Sequence, residues 1–137
     1  MCGILFVDQK QKTISKSNFL EILKSQKWRG PDNTSFEKFN NDKIFLGHNR
    51  LSILDTKARS NQPMKSDDGR FLLIFNGEIY NYKEIIKKYN LKLRTTSDSE
   101  VVLKGYILKG KNILNDLDGM FSFIIYDRKN SEWFCAR

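Results

Sequence analysis

The run Phe71-Leu72-Leu73-Ile74-Phe75 constrains the chain more than any other stretch. Consecutive apolar residues closed off by Asp67-Asp68-Gly69 on one side and Asn76-Gly77 on the other predict the strongest strand of the protein. Residues 3 to 7, Gly-Ile-Leu-Phe-Val, form a second continuous run, the pattern of a strand buried on both faces. Strands of this kind need elements to cover them, and the remaining sequence supplies them.

Ser17 or Asn18 can cap a helix reaching about Lys27, with Phe19, Leu20, Ile22 and Leu23 as its apolar stripe; Trp28-Arg29-Gly30-Pro31-Asp32 stops it. Ile44 to His48 and Arg50 to Leu54 read as strand. The Phe71 strand ends on Asn76-Gly77, which read locally is a hairpin turn. Asn81 caps a helix through Tyr89, and Ser97-Asp98 opens another, with Ser97 and Glu100 at capping-box spacing. Met120 to Tyr126 and Glu132 to Cys135 pair across a turn at Asp127 to Asn130. Strands alternating with two long helices predict a layered α+β fold with an antiparallel sheet and no second domain.

The 137 residues carry a net charge of +8, but the lysines are dispersed. Their densest group, Lys83, Lys87, Lys88, Lys92 and Arg94, includes Glu84 and reads as a solvated face rather than a nucleic-acid footprint. No apolar run approaches the ~20 residues of a membrane span, and Asp8 interrupts the N-terminal run before it could form a signal peptide. The expected setting is cytoplasmic, without membrane or nucleic-acid partners. Cys2 and Cys135 make no disulfide framework, and with a single histidine, His48, no zinc spacing exists. Cys135, in an apolar strand, is expected to be packing.

Met1-Cys2-Gly3-Ile4 bears the chemistry. Once Met1 is removed, Cys2 carries a thiol and an α-amine of similar proton affinity, so one residue supplies nucleophile and base. If Met1 is retained, the amine is locked in a peptide bond and the base is lost.

Several further segments follow in order: Arg29-Gly30-Pro31-Asp32, His48-Asn49-Arg50-Leu51-Ser52-Ile53-Leu54-Asp55, Gln62-Pro63, Phe75-Asn76-Gly77-Glu78-Ile79-Tyr80-Asn81-Tyr82, Ser97-Asp98-Ser99-Glu100 and Leu117-Asp118-Gly119-Met120-Phe121-Ser122-Phe123. The whole chain resembles the N-terminal glutaminase domain of asparagine synthase, a class II glutamine amidotransferase of the N-terminal-nucleophile type. The resemblance implies a four-layer αββα sandwich that hydrolyses L-glutamine to glutamate and ammonia through a Cys2 thioester. It assigns the Asn76 side chain and the Gly77 N–H to the oxyanion, Arg50 to the substrate carboxylate, and Asp98, assisted by Glu78, to the substrate ammonium. Main-chain groups of Leu51, Ser52, Ile53 and Leu54 line the same pocket. His48 becomes structural, and Arg29 to Asp32 shape the pocket.

The resemblance implies no metal or cofactor in this domain. ATP and Mg belong to a synthetase domain, joined in cis or acting in trans, that consumes the ammonia, with aspartate the commonest acceptor in the family. That domain's Ser-Gly-Gly-x-Asp loop does not occur here. Family domains continue past the position of Arg137, so residues 1–137 are expected to form a glutaminase domain incomplete at its C-terminus. The alternative is a glutamine-binding or interaction fragment that performs no catalysis.

Overall fold

The two apolar runs lie in different sheets. In the computed structural model, which describes every residue from Met1 to Arg137, β1 (Gly3–Asp8), β2 (Asn33–Phe39) and β3 (Ile44–Arg50) form an antiparallel sheet in the order β1-β3-β2. A second antiparallel sheet holds β4 (Met64–Lys65), β5 (Phe71–Ile79), β6 (Gly119–Asp127) and β7 (Glu132–Ala136) in sequence order. The helices are α1 (Lys16–Ser25), α2 (Tyr82–Tyr89) and α3 (Asp98–Lys109). The chain is therefore α+β.

Three apolar clusters show what each face buries. Phe19 and Leu23 of α1 meet Phe45 of β3. On the other face of β3, Ile44 and Leu46 meet Leu72 and Ile74 of β5 and Tyr126 of β6. Leu73, Phe75 and Ile79, on the opposite face of β5, pack with Ile85 of α2 and Val101, Val102 and Leu103 of α3. Full burial of each such side chain contributes roughly 1.5–3 kcal/mol. The two-residue period of a strand thus sends even-numbered residues of β3, β5 and β6 into the gap between the sheets.

Several local expectations are corrected. β3 ends at Arg50, so residues 51 to 54 are not strand: the Arg50 guanidinium draws the following chain into a loop by donating to the backbone oxygens of Leu54 (3.2 Å), Asp55 and Lys57 (2.9 Å). Asn76-Gly77 makes no turn, because β6 supplies a pairing partner as far as Ile79, opposite Gly119. α1 starts earlier than expected, at a Ser15 cap whose side chain accepts the Asn18 N–H at 3.1 Å, and it ends at Ser25 before a 3₁₀ turn at Lys27–Arg29. Asn81 does not cap α2 with its side chain; it donates to Asp116 O at 2.7 Å and accepts the Asp118 N–H at 3.0 Å, tying the helix start to the approach to β6. Ser97 caps α3, but Glu100 completes no capping box, since its carboxylate accepts the N–H groups of Arg94 and Thr95 instead. Strand β2 was not expected, because Asn-Thr-Ser-Phe-Glu-Lys-Phe has little apolar alternation and is strand only by pairing with β3. Cys135 is exposed rather than packed; Phe134 and Ala136 beside it face the core.

Candidate active site

Toward one end of the gap between the sheets the side chains change character. At alternate positions β3 carries Ile44, Leu46, His48 and Arg50, and β5 carries Leu72, Ile74, Asn76 and Glu78. Cys2 continues the alternation of Ile4 and Phe6. The apolar end is core, and the polar end opens into a cavity of about 140 Å³. Cys2, Arg50, Leu51, Ile53 and Leu54 line one side, while Gly77, Glu78, Met120 and Asp98 come from the second sheet and the start of α3.

The Cys2 Sγ accepts the Leu51 N–H at 3.3 Å. Behind it, Arg29 Nε donates to Cys2 O at 3.1 Å, and the Asp32 carboxylate accepts the Ser52 N–H at 2.6 Å. The segment from Arg29 to Asp32 therefore fixes both Cys2 and the loop after β3 without entering the cavity.

The edge of β5 explains the opposite wall. β4 pairs only with Leu72 and Leu73, and in an antiparallel ladder the odd-numbered N–H groups beyond it all point to the side without a strand. Side chains take their place: Gln62 Oε1 accepts the Phe75 N–H at 2.6 Å, and Asp98 Oδ2 accepts the Ile79 N–H at 3.0 Å. Gly77 lies between them, and no side chain accepts its N–H. Its φ is +156°, and a Cβ there would sit 2.2 Å from Met120 O and 2.5 Å from Phe121 Cα, so the position requires glycine. Asn76, opposite Ser122 on β6, has its Oδ1 buried with no hydrogen-bond partner.

The charges are unusual. Arg50 is 5% exposed, and four of its five N–H donors serve the loop after β3, through Lys57 O and Asn61 Oδ1 (2.9 Å each), Leu54 O and Asp55 O. It makes no ion pair. Asp98 is 6% exposed and accepts the N–H groups of Ile79 and Ser99, and it too lacks an opposite charge. Burial, helped by the charge of Glu78, pushes its carboxyl above the ordinary value. The same loop is tied to the segment leading into α3 by Asp55: burial works to raise its carboxyl, but hydrogen bonds from the Thr96 N–H, Arg59 and the Lys57 N–H prevail and hold it at about 2.

His48 is fully buried, with Nε2 donating to Phe75 O at 3.0 Å and Nδ1 unpartnered. Burial lowers its pKa to about 4, so the ring is neutral at physiological pH, and it lies outside the cavity lining. Of the residues expected at the site, Ser52 and Asn76 do not line the cavity: Ser52 is held from behind by Asp32, and Asn76 points into the gap below the floor. The structure adds Ser60, Gln62, Phe75, Ser97, Ser99 and Met120 to the wall, together with Met1. The Gln62-Pro63 punctuation after the loop was the available sequence signal for Gln62.

No helix is long and apolar enough to cross a membrane. A family model described as the glutamine amidotransferase domain matches residues 1–137. The chain is 36% identical over 153 residues to the putative asparagine synthetase (glutamine-hydrolyzing) 2 of Methanocaldococcus jannaschii, an alignment covering all of this chain and 30% of that protein. Identity is 40% over 141 residues to the probable asparagine synthetase (glutamine-hydrolyzing) of Schizosaccharomyces pombe, again over the full chain and 25% of the relative. The corresponding protein of Acanthamoeba polyphaga mimivirus shares 37% over 141 residues, 26% of its length. This chain belongs to the glutamine amidotransferase domain family. It spans between a quarter and a third of the length of these glutamine-hydrolyzing asparagine synthetase relatives.

Proposed function

We propose that the cavity binds L-glutamine and hydrolyses its side-chain amide to glutamate and ammonia. One observation carries this reading: an unpaired buried cation, Arg50, and an unpaired buried carboxylate, Asp98, line one cavity together with the Cys2 thiol. Burying a charge without a counter-charge costs several kcal/mol. A ligand bearing both a carboxylate and an ammonium offsets both penalties at once. Glu78 adds negative charge on the ammonium side, and main-chain groups of Leu51, Ile53 and Leu54 complete the wall.

Removal of Met1 frees the Cys2 α-amine and takes the Met1 side chain out of the cavity lining. The amine accepts the thiol proton as Sγ attacks the amide carbon. The Gly77 N–H on the cavity wall meets the charge that develops on the oxygen, joined by the Asn76 side-chain amide once it turns from the gap toward the cavity, and losing one such donor costs about 2.7–4 kcal/mol. The proton passes to the departing nitrogen, ammonia leaves, and a thioester remains. A water that gives its proton to the same amine then cleaves the thioester, releasing glutamate and restoring the thiol.

The three apolar clusters support a four-layer αββα sandwich of the N-terminal-nucleophile type for this domain. The relatives' names support an asparagine synthetase unit as consumer of the ammonia; that this unit depends on ATP and Mg, acts in cis or in trans on aspartate and works in the cytoplasm is part of the same proposal and rests on the family resemblance. The test measures intact mass and ammonia release from glutamine on one preparation, with Cys2→Ala alongside. Loss of Met1 with Cys2-dependent ammonia is the expected result. Glutamine binding without ammonia from the processed protein would refute catalysis and leave a binding module.

A further inference from the structure

Phe75, the residue immediately before Asn76-Gly77, has both of its backbone polar groups held by side chains from outside its sheet ladder. Its N–H is accepted by Gln62 Oε1 at 2.6 Å, and its C=O accepts from His48 Nε2 at 3.0 Å. Both partners are buried, Gln62 at 5% and His48 at 0% exposure. They reach Phe75 from different directions, His48 from β3 across the gap and Gln62 from the segment leading into β4. A strand edge left without a neighbour can shift or twist, and a misplacement of a donor by about 1 Å can cost a hundredfold in rate. His48 also keeps an unpartnered, fully buried Nδ1, a cost that simple core packing would remove by replacing the ring with an aliphatic side chain.

We propose that His48 and Gln62 are positioning residues that clamp the Phe75 peptide and thereby aim the Gly77 N–H, two residues further along the same edge, at the substrate oxygen. The inference rests on the glutaminase reading above. The clamp acts on the turnover step rather than on substrate capture, because Arg50 and Asp98, which recognise the zwitterion, are held by other partners. Asp98 takes the Ile79 and Ser99 N–H groups, and Arg50 takes the loop from Leu54 to Asn61.

The experiment compares His48→Leu, His48→Gln and Gln62→Met with the unsubstituted protein, all with Met1 removed as shown by intact mass. Gln places an amide N–H where the histidine Nε2–H stood, so it restores the bond to Phe75 O. Three quantities are read: kcat and KM for glutamine, and the rate of Cys2 alkylation by iodoacetamide, a displacement that develops no oxyanion. The expected result is a kcat lower by roughly ten- to a hundredfold in His48→Leu and Gln62→Met, below the 10²–10³ of outright donor removal. KM and the alkylation rate stay within about threefold, and His48→Gln recovers most of kcat. Unchanged kcat in both clamp variants overturns the inference while the glutaminase reading stands. Parallel loss of kcat and alkylation, with no recovery in His48→Gln, also overturns it, because that pattern reports general collapse of the site. Absence of Cys2-dependent ammonia from the unsubstituted, processed protein overturns the glutaminase reading and the clamp with it. Should His48→Leu fail to fold, Gln62→Met decides on the same criteria.

Discussion

Asp98→Asn separates recognition from chemistry, and its effects on binding and on stability differ in kind. The native carboxylate is buried, accepts two backbone N–H groups and has no cation, so the ligand-free protein carries the cost of its charge. Asparagine removes that charge, but its amide can accept only one of the two N–H groups. A lost hydrogen bond of about 1 kcal/mol then opposes the relief of charge burial, and the melting temperature should move by less than about 5 °C. Binding has no such compensation. A buried hydrogen bond to a charged group contributes roughly 1.5–3 kcal/mol, which at about 1.4 kcal/mol per decade means a ten- to hundredfold weaker Kd for glutamine. The decisive assay pairs glutamine with glutaramate, which lacks the α-amine. The native protein should prefer glutamine by that factor, and Asp98→Asn should lose most of the preference. If the variant still prefers glutamine by the native factor, Asp98 does not hold the ammonium. Because burial raises the Asp98 carboxyl, glutamine binding should also weaken on acidification before an ordinary carboxylate would protonate.

Gly77→Ala places a Cβ 2.2 Å from Met120 O at a φ that L-residues avoid, so it should cost about 3 kcal/mol or more, read as a lowered urea midpoint. A form that keeps Met1, checked by mass, should bind glutamine more weakly than the processed protein and release no ammonia, since Cys2 then has no amine. His48 titrates at about 4 when folded against an ordinary 6.5. Its contribution is complete above pH 6.5 and is lost as pH falls toward 4, by about 3 kcal/mol; His48→Gln should flatten that part of an unfolding-versus-pH curve. Asp55, held at about 2 against an ordinary 3.8, behaves likewise at lower pH: its stabilisation is full above pH 4 and disappears toward pH 2. Asp55→Asn should remove this acid-dependent loss.

The runs at 3 to 7 and 71 to 75 were legible because continuous apolar sequence has few places to go. The face of α2 was legible for a related reason, but that of α3 only in part: Val101, Val102 and Leu103 are buried as expected, while Ile107 and Leu108, expected in the same buried stripe, are exposed because α3 packs through its N-terminal half. Strand β2 was hidden because Thr34, Ser35, Glu37 and Lys38 carry no pattern, and only the edge of β3 makes them strand. Asn76-Gly77 misled a local reading, since turn propensity yields to a pairing partner that extends past it. Within the site, Cys2 stood out by residue type and position, whereas Arg50, Asp98 and the Gly77 N–H were reached through the family resemblance. The physical reason that the Gly77 N–H is left without a partner was not legible, because it depends on where β4 stops along the edge of β5. The roles of Gln62 and His48 were invisible for the same reason: both are bonds to a backbone that sequence alone does not orient.

The gap between the sheets holds apolar core at one end and the cavity at the other, with Leu46 and Ile74 only two positions from His48 and Asn76. Turnover is therefore exposed to substitutions that never touch a reacting atom. A methylene added or removed in that layer changes the spacing of Cys2 from the second sheet as directly as it changes melting temperature. Drift in these aliphatic positions would register first as altered catalytic efficiency, and heat inactivation should track loosening of the layer ahead of global unfolding.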